Sequence, residues 1–424
     1  MNHLLDLTLQ AIETHRLTNH PLPEGLIPPN YTGYSLQNLV HSLSHWMTLE
    51  PSGPQLAQPY HAALAGPYQR VILLLVDGLS LSLFQQMSAN GRLKSLWQPH
   101  LAGCAQAALT SVFPSTTATA LATLWSGAFP AEHAILGYEL WLKEYSMITN
   151  MLTHSPAAYF DSAGIRKAGF TPESFLKVPT LGSQLQAQGV KPYAYMPEHI
   201  NLSGLTLMLM GDVQRVPYRT ISDLWVTLED HLSARPDERA FIHLYWGDLD
   251  ELEHKVGPDD RRNPMEWELF SRTFLDFLER IPRANGRTLV LMTADHGQIT
   301  TTPRDCIDLR QDAALRPFLA MLPSGESRAP YFFLRAGAQE AFLRHAAQQW
   351  AGKVTLKDRS TLLESGLYGP NAPSMETRER LGDWIGITGG NNYFWWSAKE
   401  NSMLGRHGGL HRDEMIVPLL GWEF

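Results

Sequence analysis

The sequence predicts an α/β protein with a largely parallel sheet sandwiched by helices and a smaller inserted subdomain. Three observations carry that expectation. Three short apolar runs, RVILLLVDG, RAFIHLYWGDLD and RTLVLMTADHG, each end in acidic residues. Between the second and third, and before the second, lie stretches with helical spacing, NPMEWELFSRTFLDFLERI and SDLWVTLEDHLSA. Strands that alternate with helices pair in parallel and are covered on both faces, so they read as continuous apolar runs. In such sheets ligands bind beyond the carboxyl ends of the strands, and all three acidic clusters fall at that end.

Taken in order, residues 1–64 form a helical and extended N-terminal arm. NHPLPEGLIPPNY is extended and Pro-rich, SLQNLVHSLSHWM has helical spacing, and PSGPQLAQPY reads as a linker. Residues 65–300 and 385–424 make the main α/β domain. Residues 301–384 break the pattern with turns such as LPSGESRAP and one good helix, AGAQEAFLRHAAQQW, and read as an insert within the same domain.

With 44% hydrophobic and 18% charged residues, the 424-residue chain can bury a large core. A net charge of −8 and the lack of a long Lys/Arg run exclude extended nucleic acid as a partner, though a small phosphorylated ligand needs only a local positive site. Cys104 and Cys306 lie far apart and outside any CxxC spacing, so neither a disulfide framework nor a cysteine zinc site is expected. MNHLLDLTLQAIETHR has no basic start, long apolar core or small-residue cleavage site. The apolar run Val71–Val76 is far too short to cross a bilayer. A cytoplasmic protein without a membrane partner is expected.

The chemistry sits at the strand ends. Asp77 follows the first strand; alone, an Asp-Gly there is usually a turn. Asp250 and His254 are four residues apart, so on a helix they share a face and can reach one cation. Asp248 competes but lacks that spacing. A carboxylate and an imidazole suit zinc, with manganese the second choice. Asp295 and His296 are adjacent ionisable residues after a buried strand, a costly arrangement unless paired or metal-bound. His407 lies in HGG, where backbone approaches closely; His411 is the weaker candidate. SVFPSTTATALATLWSG offers hydroxyls, with Thr116 or Thr117 at a helix N-terminus that favours a phosphoryl oxyanion. Ser and Thr are also ordinary helix caps there. Together, three Asp and three His make two three-ligand sites. Two divalent ions against three carboxylates leave a net positive pocket, which attracts phosphate esters.

As an ordered set, VDG, the threonine segment ending in SGAFPAEHAILGY, DLDELEHKVGP, TADHG and HGG resemble the alkaline phosphatase superfamily. They are most similar to its type I phosphodiesterase/nucleotide pyrophosphatase branch, over residues of about 68–300 and 385–424. The resemblance implies that Asp77, Asp295, His296 and the nucleophile hold one metal, and Asp250, His254 and His407 the other. It implies a zinc pair and a covalent phosphothreonine. In that superfamily the nucleophile lies ten residues before the glycine closing its helix; from Gly127 this gives Thr117, with Thr116 the fallback. The phosphate-binding asparagine of the branch is replaced by Tyr138. Tyr138 and Trp141 read as core aromatics or a nucleobase platform, core being favoured, and Lys143 as a surface cation. The expected substrate is a small phosphodiester or nucleotide pyrophosphate. A phosphomonoesterase, a phosphonate hydrolase or phosphomutase and a non-catalytic phosphate sensor are the alternatives. Sulfatases need a CxPxR or SxPxR segment, and neither occurs.

Overall fold

The computed structural model describes residues 3–17, 19–50, 53–159, 161 and 164–424. Its centre is a seven-stranded sheet in the order 105–110, 416–423, 288–293, 70–76, 240–246, 191–197, 214–218. Arg70–Val76 is buried along its whole length and pairs in parallel with Ala240–Trp246 on one side and Thr288–Thr293 on the other. Strand Ile416–Glu423 runs antiparallel to both its neighbours. Register places Val76 opposite Trp246 and Leu75 opposite Thr293, so the three strands end at one level. Parallel register is therefore what gathers the three acidic clusters.

Helices cover both faces. Arg262–Arg280 buries Trp267, Phe270, Phe274 and Phe277, a stripe at helical spacing. Trp267 stacks on Trp97 at 5.5 Å between ring centroids, and Phe277 on Trp225 at 5.0 Å. Among the described residues, no helix is long and apolar enough to cross a membrane.

The N-terminal arm is built into this core rather than lying on it. Helix His3–Thr14 flanks strand Ala105–Thr110, whose Ala108 N–H donates to Thr8 Oγ1 at 3.0 Å. Thr110 N–H donates to the Tyr34 carbonyl at 2.8 Å. The arm thereby satisfies a sheet edge that would otherwise expose unpaired amides. Helix Leu36–Thr48 reaches the helix Thr117–Leu124, since Gln37 Nε2 donates to the Gly127 carbonyl at 2.8 Å.

A second seven-stranded sheet, antiparallel throughout, has the order 354–358, 384–388, 329–332, 324–326, 139–142, 147–150, 155–156. It unites the 301–384 segment with residues 139–156, which the sequence reading assigned to the main domain. The join is the single pair Gly325–Glu139. Phe332, Phe342, Trp350 and Phe394 form a separate apolar cluster beneath helix Gln339–Gln349.

Candidate metal centre

Each expected ligand stands where a strand or glycine turn delivers it. Asp77 follows its buried strand and turns into Gly78, whose φ is +81°. A Cβ at Gly78 would come within 3.0 Å of Asp250 Cα, so the glycine permits the two segments to meet. Asp250 and His254 lie one turn apart on helix Asp248–Val256, with His254 Nε2 3.3 Å from Asp250 Oδ2. The competing Asp248 accepts from Trp246 Nε1 at 3.0 Å.

Asp77, Asp295 and His296 are buried, and their donor atoms lie within 4.8 Å of one another; those of Asp250, His296 and His407, the first and last half-buried, lie within the same distance. His254 joins the second group through Asp250 and lies 5.1 Å from His407 between ring centroids. The rings of His296 and His407 stack at 3.8 Å. The six residues thus form one continuous cluster with His296 at its middle.

The hydrogen bonds around the imidazoles set their protonation. His254 Nδ1 faces the Gly405 carbonyl at 2.9 Å, His296 Nδ1 the Gly297 carbonyl at 3.2 Å, and His407 Nδ1 the Ser115 carbonyl at 3.0 Å. A carbonyl only accepts, so each Nδ1 carries a hydrogen, and the neutral tautomer of each ring is the one with its lone pair on Nε2. Anchoring the second ring nitrogen in this way is how proteins orient metal-binding histidines. Burial lowers the His407 pKa well below the ordinary range, with the charges of His296 and His254 adding to it. Burial likewise raises Asp77 and Asp295, and Asp295 and Asp250 raise Asp77 further. Asp77 Oδ1 and Asp295 Oδ2 are buried without a hydrogen-bond partner. Orphaned carboxylate oxygens facing three imidazole lone pairs fit divalent cations better than any ligand without charge.

Thr117 is the first residue of its helix and lies at the cluster. Its Oγ1 is 3.2 Å from His296 Nε2 and 3.5 Å from Asp77 Oδ2. Thr116 is 2% exposed, makes no cap with its hydroxyl, and lies beside the Glu326 carboxyl.

Several partners were not legible in the sequence. Tyr245 donates its hydroxyl to Asp77 Oδ2, and Gln298 Nε2 donates to the Asp250 carbonyl at 3.0 Å and to its carboxylate. Gln298 had a faint signal, two residues beyond His296; Tyr245 had none beyond its place near a strand end. Glu326 comes from the second sheet and accepts from Tyr138 N–H at 2.6 Å. Burial pushes its pKa up to about 8.

Tyr138 does not join the core, being 37% exposed, while Trp141 is half-buried. Lys143 is exposed and paired with Glu379 at 2.7 Å. His411 points away from the cluster, its Nδ1 accepting from Asp413 N–H at 3.1 Å to cap a short helix. His407→Ala is therefore expected to lower bound zinc by about one ion per chain and to abolish turnover, and His411→Ala to change neither. Metal analysis with kinetics of both variants checks this, and the reverse pattern would show the wrong histidine in the centre.

The model of the type I phosphodiesterase/nucleotide pyrophosphatase family matches residues 71–409. No curated protein matches the chain. Among solved structures, murine ectonucleotide pyrophosphatase/phosphodiesterase 5 is similar at 15% identity and TM-score 0.61, over 82% of this chain and 87% of that one. An inactive variant of the murine protein in complex with AMP is similar at 16% identity and TM-score 0.59, over 82% and 87%. Phosphonoacetate hydrolase from Sinorhizobium meliloti in complex with phosphonoformate is similar at 17% identity and TM-score 0.59, over 82% and 89%. At these identities the likeness establishes the fold.

Proposed function

From a chain that belongs to the type I phosphodiesterase/nucleotide pyrophosphatase family, we propose a hydrolase of phosphodiester or nucleotide pyrophosphate bonds that works through a phosphothreonine at Thr117. The observation that carries this reading is the gathering of three anchored imidazoles and three carboxylates in one cluster, with the Thr117 hydroxyl beside His296 and Asp77. Asp77, Asp295, His296 and Thr117 would hold one divalent cation, and Asp250, His254 and His407 a second, zinc or manganese. When bound, such ions lower a hydroxyl pKa and offset charge on a transferring phosphoryl group.

The remaining chemistry belongs to the chain. Thr117 Oγ1 attacks phosphorus in line, forming one P–O bond as the bond to the leaving alcohol or phosphate breaks; its proton, directed first toward Asp77 Oδ2, ends on the departing group. The phosphoryl group on Thr117 keeps the substrate's second ester substituent; water then attacks it, freeing the phosphomonoester and returning a proton to Thr117 Oγ1. Backbone N–H groups at the start of helix Thr117–Leu124 offer donors to the phosphoryl oxygens. The exposed Tyr138 at the rim would offer a stacking face to a nucleobase, in keeping with the AMP bound by the murine relative.

Charge favours the diester. A monoester carries about two negative charges near neutral pH and a diester one. The cations that could compensate are committed elsewhere: Lys143 to Glu379, Arg328 to Glu414, and Arg406 to the face of Tyr393 at 3.9 Å. Nitrophenyl diesters are therefore expected to give the higher kcat/KM with metal saturating. A monoester preference of about tenfold or more, near 1.4 kcal/mol of transition-state binding, contradicts this. A phosphonate in the same panel tests the second reading, which the likeness to phosphonoacetate hydrolase supports.

A further inference from the structure

The hairpin that joins strands Ser324–Glu326 and Ala329–Phe332 drives its tip against the catalytic cluster. Its two charged residues meet the two glycines after His407, one each. Glu326 lies flat against Gly408: a Cβ there would come within 2.8 Å of Glu326 Cβ and Cγ, and the φ of +102° at Gly408 also calls for glycine. Arg328 lies against Gly409, where a Cβ would meet Arg328 Nε at 3.0 Å and Glu414 Oε2 at 2.7 Å. The Arg328–Glu414 pair is wholly buried, with Nε to Oε1 at 2.6 Å and Nη2 to Oε2 at 3.0 Å. Glu414 also accepts from Gly409 N–H and His411 N–H, each at 2.9 Å, which fixes the loop that carries His407.

Glu326 reaches further. The same carboxyl accepts from Tyr138 N–H at 2.6 Å and lies beside the Thr116 side chain, immediately before Thr117. Thr116 occupies a helix N-cap position yet leaves the capping role unfilled. A Ser or Thr at that position ordinarily uses its oxygen as the cap; beside Glu326, Thr116 does not. One buried side chain from the second sheet thus ties together the start of the Thr117 helix, the Tyr138 turn and the glycine beside His407.

We propose that Glu326 is a positioning residue for the phosphoryl-transfer site, holding the Thr117 hydroxyl in register with the His407 loop. The inference rests on Thr117 being the reactive hydroxyl, as read above. Glutamine can accept from Tyr138 with its carbonyl and present its amide to Thr116; alanine can do neither. Misplacement of a reacting atom by about 1 Å can cost on the order of a hundredfold in rate.

The test compares Glu326→Gln and Glu326→Ala in the metal-replete full chain, by steady-state kinetics on a nitrophenyl diester and by amide hydrogen exchange over residues 115–120. Glu326→Ala is expected to lower kcat about 30-fold or more with KM within about threefold and with faster exchange at 115–120. Glu326→Gln is expected to stay near the native protein in both. An alanine variant with native kcat and exchange overturns the proposal, as does a glutamine variant as slow as the alanine one. If Glu326→Ala fails to fold, Thr116→Val removes the hydroxyl beside Glu326 and should lower kcat likewise; a fast Thr116→Val variant also overturns it. If the native protein cleaves no phosphoester, the functional reading fails while the exchange comparison still decides the role of Glu326.

Discussion

Thr117→Ala is expected to lower kcat on a phosphodiester by about a thousandfold or more while fold and bound metal persist. The physical reason is the absence of a substitute nucleophile. Thr117 Oγ1 is the hydroxyl within 3.5 Å of both His296 and Asp77. The neighbouring Thr116 is buried beside Glu326. Alanine is at ease at the first position of a helix, so the change should not unfold the protein. Thr117→Ser, which restores the hydroxyl, should recover a measurable fraction of the rate. Kinetics of the three proteins at equal metal content check this. A Thr117→Ala variant within tenfold of native turnover would remove Thr117 from the reaction.

Stripping the metals is the second large effect. A chelator is expected to abolish turnover, and zinc or manganese to restore it. The metal-free cluster crowds three carboxylates whose charges oppose one another, with burial working against Asp77 and Asp295 in the same direction. Ions bound at a hundred times their dissociation constant contribute about 2.7 kcal/mol of stability per site, so thermal melting should fall by several degrees on chelation. The sign of its pH dependence follows. Folded-state pKa values raised above the ordinary carboxylate range contribute stability that is fully present below that range and lost as pH rises through the raised values. The stripped protein should therefore melt at lower temperature as pH rises, and added zinc should remove much of that slope. Melting curves with and without metal across that range check both; an insensitive melting temperature would mean the cluster binds no ion.

How much of this was legible differs by residue. Asp77 and Asp295 could be read because each follows an apolar run at a strand end, and Asp250 because it stands four residues before His254; parallel register then had to bring the three segments level. His254 followed from helical spacing, and His296 from adjacency to a buried aspartate. Strand Ala105–Thr110, with two alanines to bury, and the C-terminal strand Ile416–Glu423 gave weaker signals. The second sheet was not legible. Its strands Glu139–Leu142 and Met147–Asn150 are four residues each, and its ladders join through one pair far apart in sequence. Glu326 was hidden for the same reason. In the sequence it is a lone acid in a turn, SGESRAP, and its role appears only when the hairpin meets the two glycines after His407. The exposure of Tyr138 likewise depends on how that second sheet packs, which local pattern does not encode.

The central claim is that the reaction passes through Thr117, and the direct measurement is a single-turnover reaction quenched in acid. Metal-replete protein in excess over a phosphodiester is stopped within the first turnover, digested, and its phosphopeptides mapped by mass spectrometry. The phosphoryl group with its retained ester substituent is expected on Thr117, in the peptide that spans residues 111–127, and absent from Thr117→Ala. That group on another side chain, or completed hydrolysis with no such adduct at any quench time, would contradict reaction through Thr117.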